Sequence, residues 1–140
     1  PAQSSRRSAK PEVPRLAQPS LRWVNSMISD DLKRKLLAFR TERDWEQFHN
    51  LRTLSASLVL EAAELLEHTQ WARDSDMVQI AAERRSAIEH EVADIAILLT
   101  YLTHDLKIEL ESAVAGKLEI NAKRYPIGKS RGSARKYDEL

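Results

Sequence analysis

Leu32, Leu36 and Phe39 recur at intervals of four and three, the spacing of one face of an α-helix, and predict a first short helix from about Asp31 to Arg40. A polar, aromatic connector follows, Glu42-Arg43-Asp44-Trp45-Glu46-Gln47-Phe48-His49-Asn50. Leu51, Leu54, Leu58, Ala62 and Leu65 then share one stripe and predict a second helix to about Trp71. Arg73-Asp74-Ser75-Asp76 reads as a turn with Ser75 as a cap. A third helical stretch covers about Met77 to Leu106, with a break expected near Arg84-Arg85-Ser86. The fourth, about Glu109 to Tyr125, is stopped by Pro126 and Gly128. Within the third, Ile95-Ala96-Ile97-Leu98-Leu99 is apolar on every face, so this helix is expected to be buried all round. Three short neighbours could hardly enclose it, which predicts a second subunit.

Turn-forming residues support the helical pattern. The three glycines are Gly116, Gly128 and Gly132, and four of the five prolines (Pro1, Pro11, Pro14, Pro19) precede Ser20. Neither residue occurs from Ser20 to Ala115, which excludes a β-fold with its frequent turns and leaves no glycine-rich phosphate loop. The fold class is all-α. The absence of cysteine removes disulfides and thiolate metal sites and points to a reducing, cytoplasmic setting. No apolar run approaches a membrane span of about 18 residues.

The formal charge of +1 conceals two unlike segments. Residues 1–26 hold Arg6, Arg7, Lys10, Arg15 and Arg22 against Glu12 alone, in a Pro-, Ser- and Gln-rich context without helical period. They read as a disordered basic leader, or as a segment foreign to the domain, with Met27 as a candidate start. Residues 27–140 carry 17 basic and 20 acidic residues. Residues 27–126 are expected to form the helical domain and 127–140 a mobile basic arm.

The main anomaly is acidic. Glu61 and Glu64 interrupt Leu58-Val59-Leu60-Glu61-Ala62-Ala63-Glu64-Leu65-Leu66, and Glu91 and Asp94 interrupt Glu91-Val92-Ala93-Asp94-Ile95-Ala96-Ile97. A separation of three puts each pair on one helix face, about 5–6 Å apart at Cβ. Antiparallel packing of the two helices would bring four carboxylates to one spot. Unneutralised, they would repel, and desolvation would raise their pKa values. Hard oxygen donors without His or Cys suit Mg²⁺, with Mn²⁺ as a substitute, rather than zinc. Such a cluster facing a phosphate chain can activate water and stabilise a leaving oxyanion.

Other metal readings fail on spacing. His90-Glu91-Val92-Ala93-Asp94 lacks the second His of a zinc-protease helix. A di-iron bundle needs two E-x-x-H motifs, and this chain has one, Glu46 to His49, in the connector. His68 and His104 read as cap or packing residues. A rival without catalysis makes the acidic pairs interhelical bridges to Arg84, Arg85 or Arg124 in a helical binding module. A third reading would put nucleic acid on the basic leader and arm, with the leader's charge run more readily taken as solvated.

Taken together, Glu61-x-x-Glu64 followed by Glu91-x-x-Asp94 resembles the E-x-x-E…E-x-x-D signature of the MazG-type all-α nucleoside triphosphate pyrophosphohydrolases. Arg40-Thr41-Glu42-Arg43-Asp44-Trp45-Glu46-Gln47-Phe48-His49, Glu67-His68-Thr69-Gln70-Trp71 and Lys117-Leu118-Glu119-Ile120-Asn121-Ala122-Lys123-Arg124-Tyr125-Pro126 resemble the branch containing dCTP pyrophosphatase and the small bacterial MazG-like proteins. The resemblance covers about Met27 to Leu140. It implies a four-helix bundle completed by homo-oligomerisation, as a dimer or a dimer of dimers. The implied reaction is Mg²⁺-dependent hydrolysis of a (deoxy)nucleoside triphosphate to monophosphate and pyrophosphate, as house-cleaning of the nucleotide pool. By that resemblance Glu61, Glu64, Glu91 and Asp94 are catalytic metal-binding positions, Trp45 and Trp71 enclose the base, and Lys117, Asn121 and Arg124 approach the rest of the substrate. The chain departs from the branch at Asn50-Leu51-Arg52-Thr53, and Leu36 and Leu98 replace polar or aromatic base-contacting residues of some members. The resemblance therefore leaves the nucleobase open.

Overall fold

The computed structural model describes residues 28–139, and among them there is no β-strand. The basic leader expected over residues 1–26, and Met27 itself, lie outside the described residues. Helix α1 covers Asp30–Thr41. The Ser29 hydroxyl accepts from the Leu32 N–H, and Asp30 and Asp31 place negative charge at the positive end of the helix. Asp44 then adopts a left-handed conformation (φ 54°), which short polar side chains tolerate best after glycine. It turns the chain into a single 3₁₀ turn, Trp45–Gln47.

Helix α2 covers Leu51–Glu67 and starts on a capping box, Asn50 accepting from the Arg52 and Thr53 N–H groups while Thr53 Oγ1 accepts from the Asn50 N–H. It ends four residues before the expected limit at Trp71, because the Thr69, Gln70 and Ala72 amides turn back in tight bonds to Leu66 and Thr69. The third predicted stretch is two helices, α3 over Met77–Glu83 and α4 over Arg85–Asp105. The break falls at Arg84 (φ −102°, ψ 18°), within the expected trio. Helix α4 stops at Lys107, also left-handed (φ 55°). The Ile108 amide bonds Thr103 O at 2.9 Å and the Lys107 amide bonds His104 O at 3.2 Å, a Schellman closure built without glycine. Helices α5, Leu110–Arg124, and α6, Ile127–Ser130, complete the set.

The arm expected from residue 127 makes local contacts with the end of α5. Ser130 Oγ donates to the carbonyls of Tyr125 and Pro126, and Tyr137, in a final 3₁₀ turn, packs edge-on against Tyr125 at 6.0 Å with Arg124 over its ring at 4.8 Å.

Packing centres on α2 against α4, with α1 lying across the C-terminal part of α4. The two long helices run antiparallel, since His68, just past the end of α2, meets Glu91 in the first half of α4. Among the described residues Leu54 (2% exposed) and Tyr101 (4%) are the buried apolar side chains. Ile95–Leu99, expected to be buried all round, are half-buried here, and Val59, Leu60, Leu66, Val92, Val114 and Leu118 face outward. Helix α5 has no extensive packing against any other helix.

Candidate active site

On α2, Leu54, Leu58, Glu61, Leu65 and His68 follow each other at helical spacing on the less exposed face. Glu61 thus occupies a core position. On α4, Glu91 stands on the stripe that continues through Ile95 and Leu98. The antiparallel packing brings carboxylate oxygens of Glu61, Glu64 and Glu91 within 4.8 Å of one another. Glu61 and Glu91 are half-buried and Glu64 is exposed. Asp94 falls outside that group of three, although its charge acts on Glu61.

The electrostatics are those of an unneutralised acidic cluster. Desolvation raises the pKa of Glu61, and the charges of Glu64, Asp94 and Glu91 raise it further. Among the described residues no Lys or Arg pairs with any of these four carboxylates; Arg85, a bridge candidate from sequence, pairs with Glu89. The buried His68 Nε2 has no hydrogen-bond partner and lies 4.0 Å from Glu91 Oε1. Three mutually close oxygen donors with no paired Lys or Arg among the described residues fit a hard divalent cation.

A second cluster lies further along α4, with α1 and the 3₁₀ turn. The Arg40 guanidinium, 4% exposed, donates from both terminal nitrogens to Asp105 at 2.9 Å each. It lies 4.8 Å over the Tyr101 ring and 3.9 Å from Glu46 Oε1. The Tyr101 hydroxyl donates to Leu36 O, and its ring stands 5.5 Å from His49. Trp45 lies 6.5 Å from His49 and meets Phe39 edge-on at 5.8 Å. Tyr101 and Asp105 carry no sequence signal, and Arg40 and His49 enter the sequence reading as the ends of the connector motif, without an assigned role. Arg40 and Asp105 are 65 residues apart, and the signal available beforehand was an Arg directly following the apolar stripe of α1.

The remaining expected positions do not converge on the carboxylates within one chain. Trp71 stands almost fully in solvent (89% exposed) beyond α2. Lys117, Asn121 and Arg124 share one face of α5, as their spacing predicts, but among the described residues α5 makes no extensive packing against α2 or α4.

Burial, with the charge of Arg40 second, lowers the pKa of His49; burial, with Lys107 second, lowers that of His104. Asp105 opposes both shifts. Folding therefore favours the neutral form of both rings relative to the unfolded chain, which takes up protons near 6.5. Their contribution is fully present above that value and is lost as pH falls below it. Chemical denaturation should show stability declining from pH 7 to pH 5, and a His49→Gln, His104→Gln double variant should flatten that limb.

Residues 56–140 match the MazG-like family. Over 113 residues the chain is 41% identical to dCTP pyrophosphatase 1 of Mus musculus, 42% to that of Bos taurus and 40% to that of Homo sapiens. These alignments take in 79% of this chain, and it spans 66% of the length of the mouse and human proteins and 67% of the bovine one. Among solved structures, a pyrophosphatase of Archaeoglobus fulgidus DSM 4304 superposes with a TM-score of 0.67 at 35% identity, over 69% of this chain and 91% of that one. The acidic face of α2 and α4 lies inside the matched span, and the helical architecture agrees with the superposed structure: the chain belongs to the MazG-like family.

Proposed function

We propose that this chain is a divalent-cation-dependent pyrophosphohydrolase that cleaves (deoxy)nucleoside triphosphates to the monophosphate and pyrophosphate. The observation that carries the reading is the cluster of Glu61, Glu64 and Glu91, within 4.8 Å of one another on a helix pair that lacks a compensating Lys or Arg among the described residues. The relatives named dCTP pyrophosphatase make dCTP the first substrate to test. Glu61, Glu64 and Glu91, joined by Asp94, would hold Mg²⁺, or Mn²⁺ in its place. Bound there, the cation lowers the pKa of water and offsets charge on the phosphate chain. The carboxylates orient the reacting water through their remaining lone pairs, and the half-buried setting of Glu61 strengthens each of these interactions.

Trp45 offers an indole face for the nucleobase; Trp71, beyond the opposite end of α2, would supply the opposing wall from a second subunit. Lys117, Asn121 and Arg124 supply charge and hydrogen bonds to phosphate and sugar. Because α5 stands apart from α2 and α4, this stripe reaches the carboxylates in a homo-oligomer, whose formation also covers Ile95–Leu99, Val59, Leu60, Val114 and Leu118. The domain covers residues 27–126 with the arm from 127. No helix among the described residues is long and apolar enough to cross a membrane. A cytoplasmic role in clearing unwanted triphosphates accounts for a cysteine-free enzyme of this chemistry.

The test is a panel of ribo-, deoxy- and base-modified triphosphates with Mg²⁺, the products separated by ion exchange. Monophosphate with pyrophosphate is expected, abolished by chelator. Diphosphate with inorganic phosphate would refute the reaction type.

A further inference from the structure

Tyr101, His49, Trp45 and Phe39 form one aromatic row, with successive ring centres 5.5, 6.5 and 5.8 Å apart. Three of the four come from the end of α1 and the connector, a segment whose tightest turn depends on the left-handed Asp44. The turn packs chiefly against α1, and among the described residues no extensive packing ties it to α4. Arg40 does so from below the row. Its guanidinium is fixed to Asp105 of α4 by two parallel bonds, lies over the Tyr101 ring, and reaches Glu46 inside the Trp45–Gln47 turn. Thr41 Oγ1 donates to the same Glu46 carboxylate at 2.8 Å, so the turn is held at two adjacent points of α1. A bidentate Arg–carboxylate pair fixes orientation as well as distance.

We infer that Arg40, clamped by Asp105, is the positioning residue for the nucleobase wall: it sets where Trp45 presents its indole and thereby the affinity for the base. The inference rests on the reading of Trp45 as a base-stacking residue. The clamp is separate from the acidic cluster. Asp94 and Asp105 are eleven residues apart on one straight helix, about 16 Å at 1.5 Å per residue. Loosening the clamp therefore alters substrate binding and leaves the hydrolytic step alone.

Asp105→Asn retains the side-chain size and removes the charge. It is expected to raise KM for dCTP about fivefold or more, the weight of a lost base stack, with kcat within about twofold of wild type. Asp105→Glu, which restores the carboxylate, should recover most of the loss. A merely structural defect would lower the folded fraction, and hence apparent kcat, at unchanged KM. A second measurement needs no turnover. In the full chain carrying Trp23→Phe and Trp71→Phe, Trp45 is the sole indole. Asp105→Asn should then raise acrylamide quenching of Trp45 about twofold in the substrate-free protein, as the turn opens locally. Unchanged quenching overturns the positioning claim. Raised quenching with unchanged KM overturns its link to the base. If the wild type hydrolyses no triphosphate, the functional reading is what fails, and quenching still decides the clamp.

Discussion

Glu61→Gln is expected to cut triphosphate hydrolysis by at least about 100-fold and, in the same protein, to raise the melting temperature measured in chelator. The two signs come from one cause. Glu61 sits on the core stripe of α2 facing Glu91, with desolvation first and then Glu64, Asp94 and Glu91 raising its proton affinity. A carboxyl whose pKa is raised by folding weakens the fold at neutral pH, because the native state would rather hold the proton. Gln keeps the shape and deletes the penalised charge. The same deletion removes a donor to the cation and so the electrostatic stabilisation of the reacting phosphate chain. Adding Mg²⁺ with a nucleotide should raise the wild-type melting temperature by mass action and move the variant much less. Glu64→Gln should lose activity by the same order with a smaller effect on the fold, since Glu64 is exposed. Unchanged turnover of either variant at saturating Mg²⁺ would sink the carboxylate assignment. A fall in melting temperature for Glu61→Gln would show that Glu61 is instead a satisfied structural acid.

Arg40→Ala should cost about 3 kcal/mol of stability, the low end of the range for breaking a buried pair. Arg40 is 4% exposed, and its removal leaves the Asp105 carboxylate without its two charged donors and leaves a gap over the Tyr101 ring. The cost stays at the low end because the Asp105 side chain is 32% exposed and water can reach it. Asp105→Asn should cost about half as much, since an amide oxygen still accepts from the guanidinium. Replacing both partners, Arg40→Met with Asp105→Leu, should recover much of the loss, because it removes the desolvation of two charges along with their attraction. Urea denaturation of the three variants gives the comparison. The hydrogen bond from Arg40 holds the Asp105 carboxyl below its ordinary 3.8. Its stabilisation is therefore present above that value and lost as pH falls further, a limb that Asp105→Asn should lack. Equal stability of Arg40→Ala and wild type would mean that the pair merely breaks even.

Most local structure could be read from spacing, and its limits mark where local rules stop. The α1 and α5 stripes and the capped start of α2 follow from one or two turns of sequence. The Arg84 break was readable only as a trio, because no Gly or Pro marks it and the conformation of one residue decides it. The early end of α2 depends on backbone bonds after Glu67 that no side chain announces. Asp44 and Lys107, left-handed without being glycine, were invisible for the same reason. The acidic pairs stood out because carboxylates inside apolar stripes contradict the burial their neighbours require.

The all-α class and the faces the helices present follow from periods of a few residues and from the absence of Gly and Pro from Ser20 to Ala115. The same periods put Glu61 with Glu64, and Glu91 with Asp94, on one face of each helix. That three of these carboxylates, and not all four, share one 4.8 Å neighbourhood is a result of helix packing. The tertiary structure likewise paired Arg40 with Asp105 and left α5 without extensive packing against another helix among the described residues. The physical reason is range. Helical periodicity acts within a turn or two, whereas the meeting of residues 30 to 65 positions apart depends on how two helices pack, which no local spacing encodes.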